Sequence, residues 1–199
     1  MSYSDFTLRR VKKEFNLTIV EEATFIKFVQ PQQPSPFLTN FLDKYLPLAL
    51  ALNTEKARSE MLICPILLEV KDIFEPKISL FSGSDFTVDQ SVGLNGVCDF
   101  LISLSPEQLF IDAPAVVVVE AKKEDLNGGL GQCIASMIAA QRFNEENNQP
   151  VSTIFGAVTT GDRWKFIKLE LNTVTIGLME YSIPPIEQVL GILVSFIRW

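Results

Sequence analysis

The chain has 199 residues, 47% hydrophobic and 21% charged, enough for one packed core and short for two. A formal net charge of −7 excludes a protein that coats nucleic acid through its overall field, and the absence of histidine excludes Ser-His-Asp, Cys-His and His-ligated zinc chemistry. No apolar run approaches the roughly 18 residues of a membrane span and the N-terminus lacks a signal-peptide core, so a soluble cytoplasmic protein is expected.

In chain order, residues 5–15 (DFTLRRVKKEF) predict a short basic helix, 17–25 an extended segment and 29–37 (VQPQQPSPF) a surface connector. Residues 37–52 have helical period, with Pro47 expected to kink or break it. A second helix is expected from Asn53 or Thr54, with a bend at Pro65. From Lys77 the texture becomes strand-like over 77–83, 86–96, 97–104 and 115–122. A helix with a wide face of small and apolar residues follows over 128–147, then strands at 151–160, 163–171 and 173–181, and a final helix over 184–199. The order predicts an α/β (α+β) fold, a mixed central sheet flanked by helices on both sides. Cys64, Cys98 and Cys133 are far apart in apolar surroundings and suggest reduced core residues rather than a zinc site or disulfides.

The run AVVVVEAK reads as a strand buried on both faces that ends in Glu120 and Lys122. Side chains alternate with period two, so a carboxylate and an ammonium group leave the sheet on one side. The triplet alone is common here, recurring as Glu69-Val70-Lys71 and Glu75-Pro76-Lys77. What distinguishes Glu120 is Asp99, set in the otherwise apolar GVCDFLISL, where an aspartate is costly to bury unless paired, hydrogen-bonded or bound to a cation. If the two strands are neighbours, Asp99 and Glu120 converge on one cation, with the Ala121 carbonyl as a further oxygen ligand and Lys122 positioned to orient a water. GGLGQ lacks the Gly-Lys-Ser/Thr ending of a phosphate loop and reads as flexible entry into a helix.

Together, GVCDFLI, VVVVEAK and GLGQCIASM resemble the PD-(D/E)xK nuclease superfamily, with its restriction-endonuclease-like fold, over roughly residues 53–170. The nuclease domains of type I restriction subunits are similar. The resemblance implies that Asp99 and Glu120 hold Mg²⁺, or Mn²⁺ in its place, and that Lys122 assists the attacking water. Glu60 matches the acidic residue of the preceding helix, and Gln132 the glutamine of the helix after the lysine strand. TTGDRWKFIKLEL resembles a strand pair that follows the site in restriction-type members. Two positions depart from the pattern: Cys98 stands where a proline precedes the aspartate, and Ser136 where a tyrosine often follows the glutamine.

The organisation expected is a single domain, 1–199. Residues 1–52 form an N-terminal helical and extended extension, 53–180 the nuclease-like core and 184–199 the C-terminal helix. The function expected is a Mg²⁺-dependent endonuclease acting on nucleic acid, DNA first. The alternative is a catalytically inactive relative kept as a binding or assembly module. Arg9, Arg10, Lys12 and Lys13, with Lys123, Arg142, Arg163 and Lys165, are candidates for a local positive rim. A mean hydropathy of +0.23 and the apolar final helix suggest a homodimer through that helix.

Overall fold

The valine run lies in β4 (Ala115–Ala121), every residue of which is buried, as a strand covered on both faces requires. The computed structural model describes residues 1–23, 25, 26 and 29–198. The expected extended segment includes Thr24 and the expected final helix reaches Trp199, and both positions lie outside the described residues. β4 pairs antiparallel with β3 (Val97–Ser103) and parallel with β5 (Ile154–Thr159). The remaining strands are β1 (Thr18–Glu22), β2 (Ser79–Asp85), β6 (Arg163–Glu170), β7 (Thr173–Gly177) and β8 (Tyr181–Ser182). They form a mixed open sheet in the order β1-β7-β6-β5-β4-β3-β2, with β8 against β6.

Helices cover both faces, as expected. They are α1 (Leu8–Glu14), α2 (Pro36–Leu52), α3 (Glu55–Arg58), α4 (Cys64–Phe74), α5 (Leu126–Glu146) and α6 (Glu187–Arg198). Alternation along β4 separates two cores. Val118 joins Val158, Ile134 and Met137 beneath α5, with Val11 of α1. Val117 and Val119 join Leu38, Ile66, Leu193 and Phe196 of α2, α4 and α6 on the other face. There Phe155 and Phe196 stack with ring centroids 4.1 Å apart. Burying one such ring is worth about 1.5–3 kcal/mol.

Local chemistry explains most element ends. Thr54 caps α3 by accepting from the Ala57 N–H, and Asp125 caps α5 by accepting from the Asn127 N–H. Ser35 caps α2, Pro36 occupies its first turn, and Asn53 closes it in a left-handed conformation, φ 48°. Pro47 does not break this helix. It sits on the exposed side, and Leu38, Leu42 and Ala49 pin the segment to the core on either side of it. At Pro65 the helix widens instead of stopping. A π turn over Ser59–Ile63, closed by the Cys64 N–H on the Ser59 carbonyl, precedes α4 and relieves the proline's missing donor.

Residues 86–96, expected as a strand, form the connection between β2 and β3. The Phe86 N–H bonds Gly96 O at 2.9 Å, but at the tip Asp89 accepts from the Ser91 N–H and Gly93 takes φ 81°, turning the chain through a short 3₁₀ segment. Residues 1–52 are woven into the body: β1 forms one sheet edge and Leu38 and Leu42 of α2 lie in the core. The apolar residues of α6, among them Leu190, Leu193 and Phe196, are buried in this chain's own core. Cys98 and Cys133 are buried, Cys64 is half-buried, and all three are free. No helix among the described residues is long and apolar enough to cross a membrane.

Candidate active site

The pairing of β3 with β4 ends at Phe100–Val119, while β4 continues on β5 through Glu120 and Ala121. In place of a main-chain partner from β3, the Ala121 N–H donates to Asp99 Oδ2 at 2.8 Å. The Asp99 and Glu120 carboxyl groups also share a hydrogen bond, which brings the two acids predicted from separate strands into contact. On the other side the Lys122 N–H donates to Thr159 O at 2.8 Å, holding the strand end against β5.

Lys122 turns back over Glu120. Its Nζ donates to Glu120 Oε1 at 2.5 Å and reaches Gln132 Oε1, on the second turn of α5, at 3.4 Å. Room for its stem comes from Gly129, where a Cβ would lie 2.6 Å from Val158 Cγ1 and 3.0 Å from Lys122 Cγ. Gly129 of GGLGQ therefore has a packing role beside the site, whereas Gly131 admits the main chain of Phe6–Leu8 against α5. Asp99, Glu120, Lys122 and Gln132 form one connected cluster.

Glu120 is 2% exposed. Burial, and then the charge of Asp99, push its carboxyl up to about 8, against the opposing pull of Lys122. Burial alone would lower the Lys122 ammonium, but the Glu120 carboxylate outweighs it and holds Lys122 above its ordinary value, with smaller help from Glu55 and Asp99.

Glu60 is not brought to this cluster. It lies in the π turn and pairs with Lys56 at 3.0 Å on the surface. The helix acid whose charge reaches Lys122 is Glu55, one residue after the Thr54 cap. No signal in the sequence separated it from the other acids of that helix. Ala121 contributes its main chain. In an extended strand the N–H and C=O of one residue leave on one side, so its carbonyl shares the edge on which Asp99 lies. Ser136, in place of the family's tyrosine, is buried and hydrogen-bonds Cys98.

Sequence reasoning also passed over Arg58, whose buried guanidinium donates to Thr160 O at 2.8 Å, to Asp162 and to Asn53 Oδ1 at 3.3 Å. It ties α3 to the β5–β6 turn. That turn is the structural content of TTGDRW: Gly161 adopts φ 86°, its N–H bonds Thr159 Oγ1 at 2.8 Å and its carbonyl accepts from Trp164 Nε1 at 3.0 Å. Of the expected rim, Arg10 pairs with Glu14, Arg142 with Asp89 and Lys123 with Glu124, while Arg163 and Lys165 share Glu180.

As an oxygen-donor set, Asp99 and Glu120 suit a hard cation, since two touching carboxyls resolve their repulsion by sharing either a proton or a metal. Among the described residues no third histidine, cysteine or acid completes a three-residue metal cluster, so the remaining ligands would be main-chain carbonyl and water. Compared with family models, curated proteins and solved structures, the chain matches none.

Proposed function

We propose that this chain is a Mg²⁺- or Mn²⁺-dependent nuclease, an endonuclease of the PD-(D/E)xK kind, acting on DNA. Asp99, Glu120 and the Ala121 carbonyl would hold the cation. The observation that carries the proposal is the meeting of Asp99, Glu120 and Lys122 at the end of a buried strand, with Gln132 behind the lysine. Glu55, rather than Glu60, is the helix acid near enough to assist.

Bound Mg²⁺ would supply positive charge against the phosphodiester oxygens. Hydrolysis forms one bond from the water oxygen to phosphorus, breaks one P–O ester bond, and leaves a phosphomonoester and a hydroxyl. Lys122, held above its ordinary value, stays an ammonium and acts by donating hydrogen bonds that orient the water, not by taking its proton. Glu120 Oε1 and Gln132 Oε1 accept from its Nζ and fix that donor in place. The closed, buried state of Glu120 favours a second reading, a non-catalytic module that keeps the fold.

The test is cleavage of linear, circular and single-stranded DNA and of RNA by the wild type and Lys122→Ala, with Mg²⁺, Mn²⁺ or EDTA. The expected result is metal-dependent cleavage, DNA preferred, lost in the variant. Absence of cleavage together with absence of calorimetric Mg²⁺ or Mn²⁺ binding would select the module.

A further inference from the structure

The row of paired residues that begins at Glu120 does not end at the site. Glu120 pairs with Val158 on β5, and Val158 pairs with Lys165 on β6. Directly paired residues point to the same face, so Lys165 stands on the α5 face two strands away, about 10 Å from Glu120 at the spacing of neighbouring strands. It is 6% exposed, an uncommon place for an ammonium, and its Nζ donates to Asn127 Oδ1 at 2.8 Å in the first turn of α5. Arg163, two residues earlier on the same strand face, is more open and donates to Glu124 O at 2.8 Å in the loop between β4 and α5.

Both cations face a single carboxylate. Glu180 lies 3.4 Å from Arg163 Nη1 and 3.6 Å from Lys165 Nζ. These are long contacts for charge-assisted pairs, which close to about 2.7–2.9 Å when geometry allows. Among the described residues Glu180 is the one carboxylate that pairs with these two cations, and it holds neither closely. The pair sits beside the N-terminal end of a 21-residue helix, where the Asp125 cap carboxylate already meets the helix dipole. Glu180 stands between two short strands, after the exposed Leu178 and Met179, so its side chain can leave without disturbing a core.

We infer that Arg163 and Lys165 form a second anion subsite that takes the phosphate next to the one at Glu120, with Glu180 as the carboxylate it displaces. The identity of the anion rests on the nuclease reading. The subsite gives an acidic protein a local hold on a polyanion, and it fixes the direction in which the chain crosses the site, from β4 over β5 to β6. Because the phosphate must compete with Glu180, binding is weaker than the two cations alone would allow.

The experiment is fluorescence anisotropy of labelled single-stranded and duplex DNA and RNA oligonucleotides, in EDTA to prevent cleavage, over a range of KCl. Glu180→Gln is expected to bind on the order of 3- to 10-fold tighter, because the competing charge is gone while both cations remain. Arg163→Gln is expected to weaken binding and to flatten the slope of log K against log salt by about 0.7–0.9, the loss of one phosphate contact, and Arg163→Lys to restore the slope. A purely structural ion cluster would make Glu180→Gln looser or neutral. That result, or an unchanged slope in an Arg163→Gln protein with a normal melting curve, overturns the subsite.

The outcomes also separate the two proposals. Wild-type cleavage with subsite variants unchanged removes only the subsite. The expected binding pattern without any metal-dependent cleavage keeps the subsite and removes the catalytic reading. No binding by the wild type removes the subsite, and the catalytic reading then stands or falls with metal-dependent cleavage alone.

Discussion

Glu69 and Lys71 stand two residues apart in α4, and Glu120 and Lys122 stand two residues apart at the end of β4. In a helix that spacing turns side chains about 200° apart. Glu69 accordingly points inward, accepting from the Ser35 N–H at 2.6 Å and the Ser35 hydroxyl at 2.7 Å, while Lys71 points outward toward Glu75 at 3.6 Å. On a strand the same spacing returns both side chains to one face, and Lys122 closes on Glu120 at 2.5 Å. Both glutamates are buried, but Glu69 is satisfied by a serine that caps a helix, whereas Glu120 touches a second acid. One triplet fastens two helices together, and the other gathers charge that a cation or a substrate could use.

The sharpest way to break this contrast is to neutralise each glutamate. Glu120→Gln is expected to lower metal-dependent cleavage by on the order of 10²–10⁴-fold while the protein still folds, measured by single-turnover hydrolysis. Glu69→Ala should do the opposite, with cleavage retained per folded molecule but stability lowered by about 1–3 kcal/mol in urea unfolding, because the Ser35 donors lose their acceptor. Equal activity loss in the two variants would erase the distinction.

Gly129→Ala sharpens it from the packing side. A Cβ there meets Val158 and the Lys122 stem, so about 1–3 kcal/mol of overpacking strain is expected, and the metal-dependent rate should fall because Lys122 must shift. Calorimetric melting and cleavage kinetics on the same preparation would read both effects.

A further effect is the dependence of stability on pH. The carboxyl of Glu120 rises from the ordinary 4.5 to about 8 on folding, so between these values the folded state holds more protons than the unfolded one. Its contribution is fully present below about pH 4.5 and is lost as pH rises through about 8. Metal-free wild type is therefore expected to melt progressively lower across that window, relative to Glu120→Gln, in which this component is absent. Parallel curves for the two proteins would contradict the burial of an acid at this position.

Much of the architecture was legible because it is written in local periods. The valine run, the α5 segment and the mixed order of elements follow from alternation and helical spacing. The errors fell where a local signal was outweighed. Pro47 lies within a helix held by core residues on both sides, and 86–96 has strand-like composition but turns through Asp89 and Gly93. Glu60 was named from the family pattern and pairs with Lys56 on the surface, while Glu55 is the acid whose charge reaches Lys122, because the spelling of a helix does not say which of its turns faces the sheet.

By itself the sequence determined that a strand buried on both faces would end by sending Glu120 and Lys122 out together, and that without histidine any chemistry would rest on carboxylates, lysine and amides. Only the tertiary structure decided that Asp99 touches Glu120, that Gln132 stands behind Lys122, that the apolar residues of α6 are buried in this chain's own core, and that Arg163 and Lys165 converge on Glu180. The physical reason is the range of the forces involved. Side-chain direction along one element is set by its backbone geometry within a few residues. The meeting of groups from different elements depends on strand order, register and loop paths, which the burial of both cores settles together.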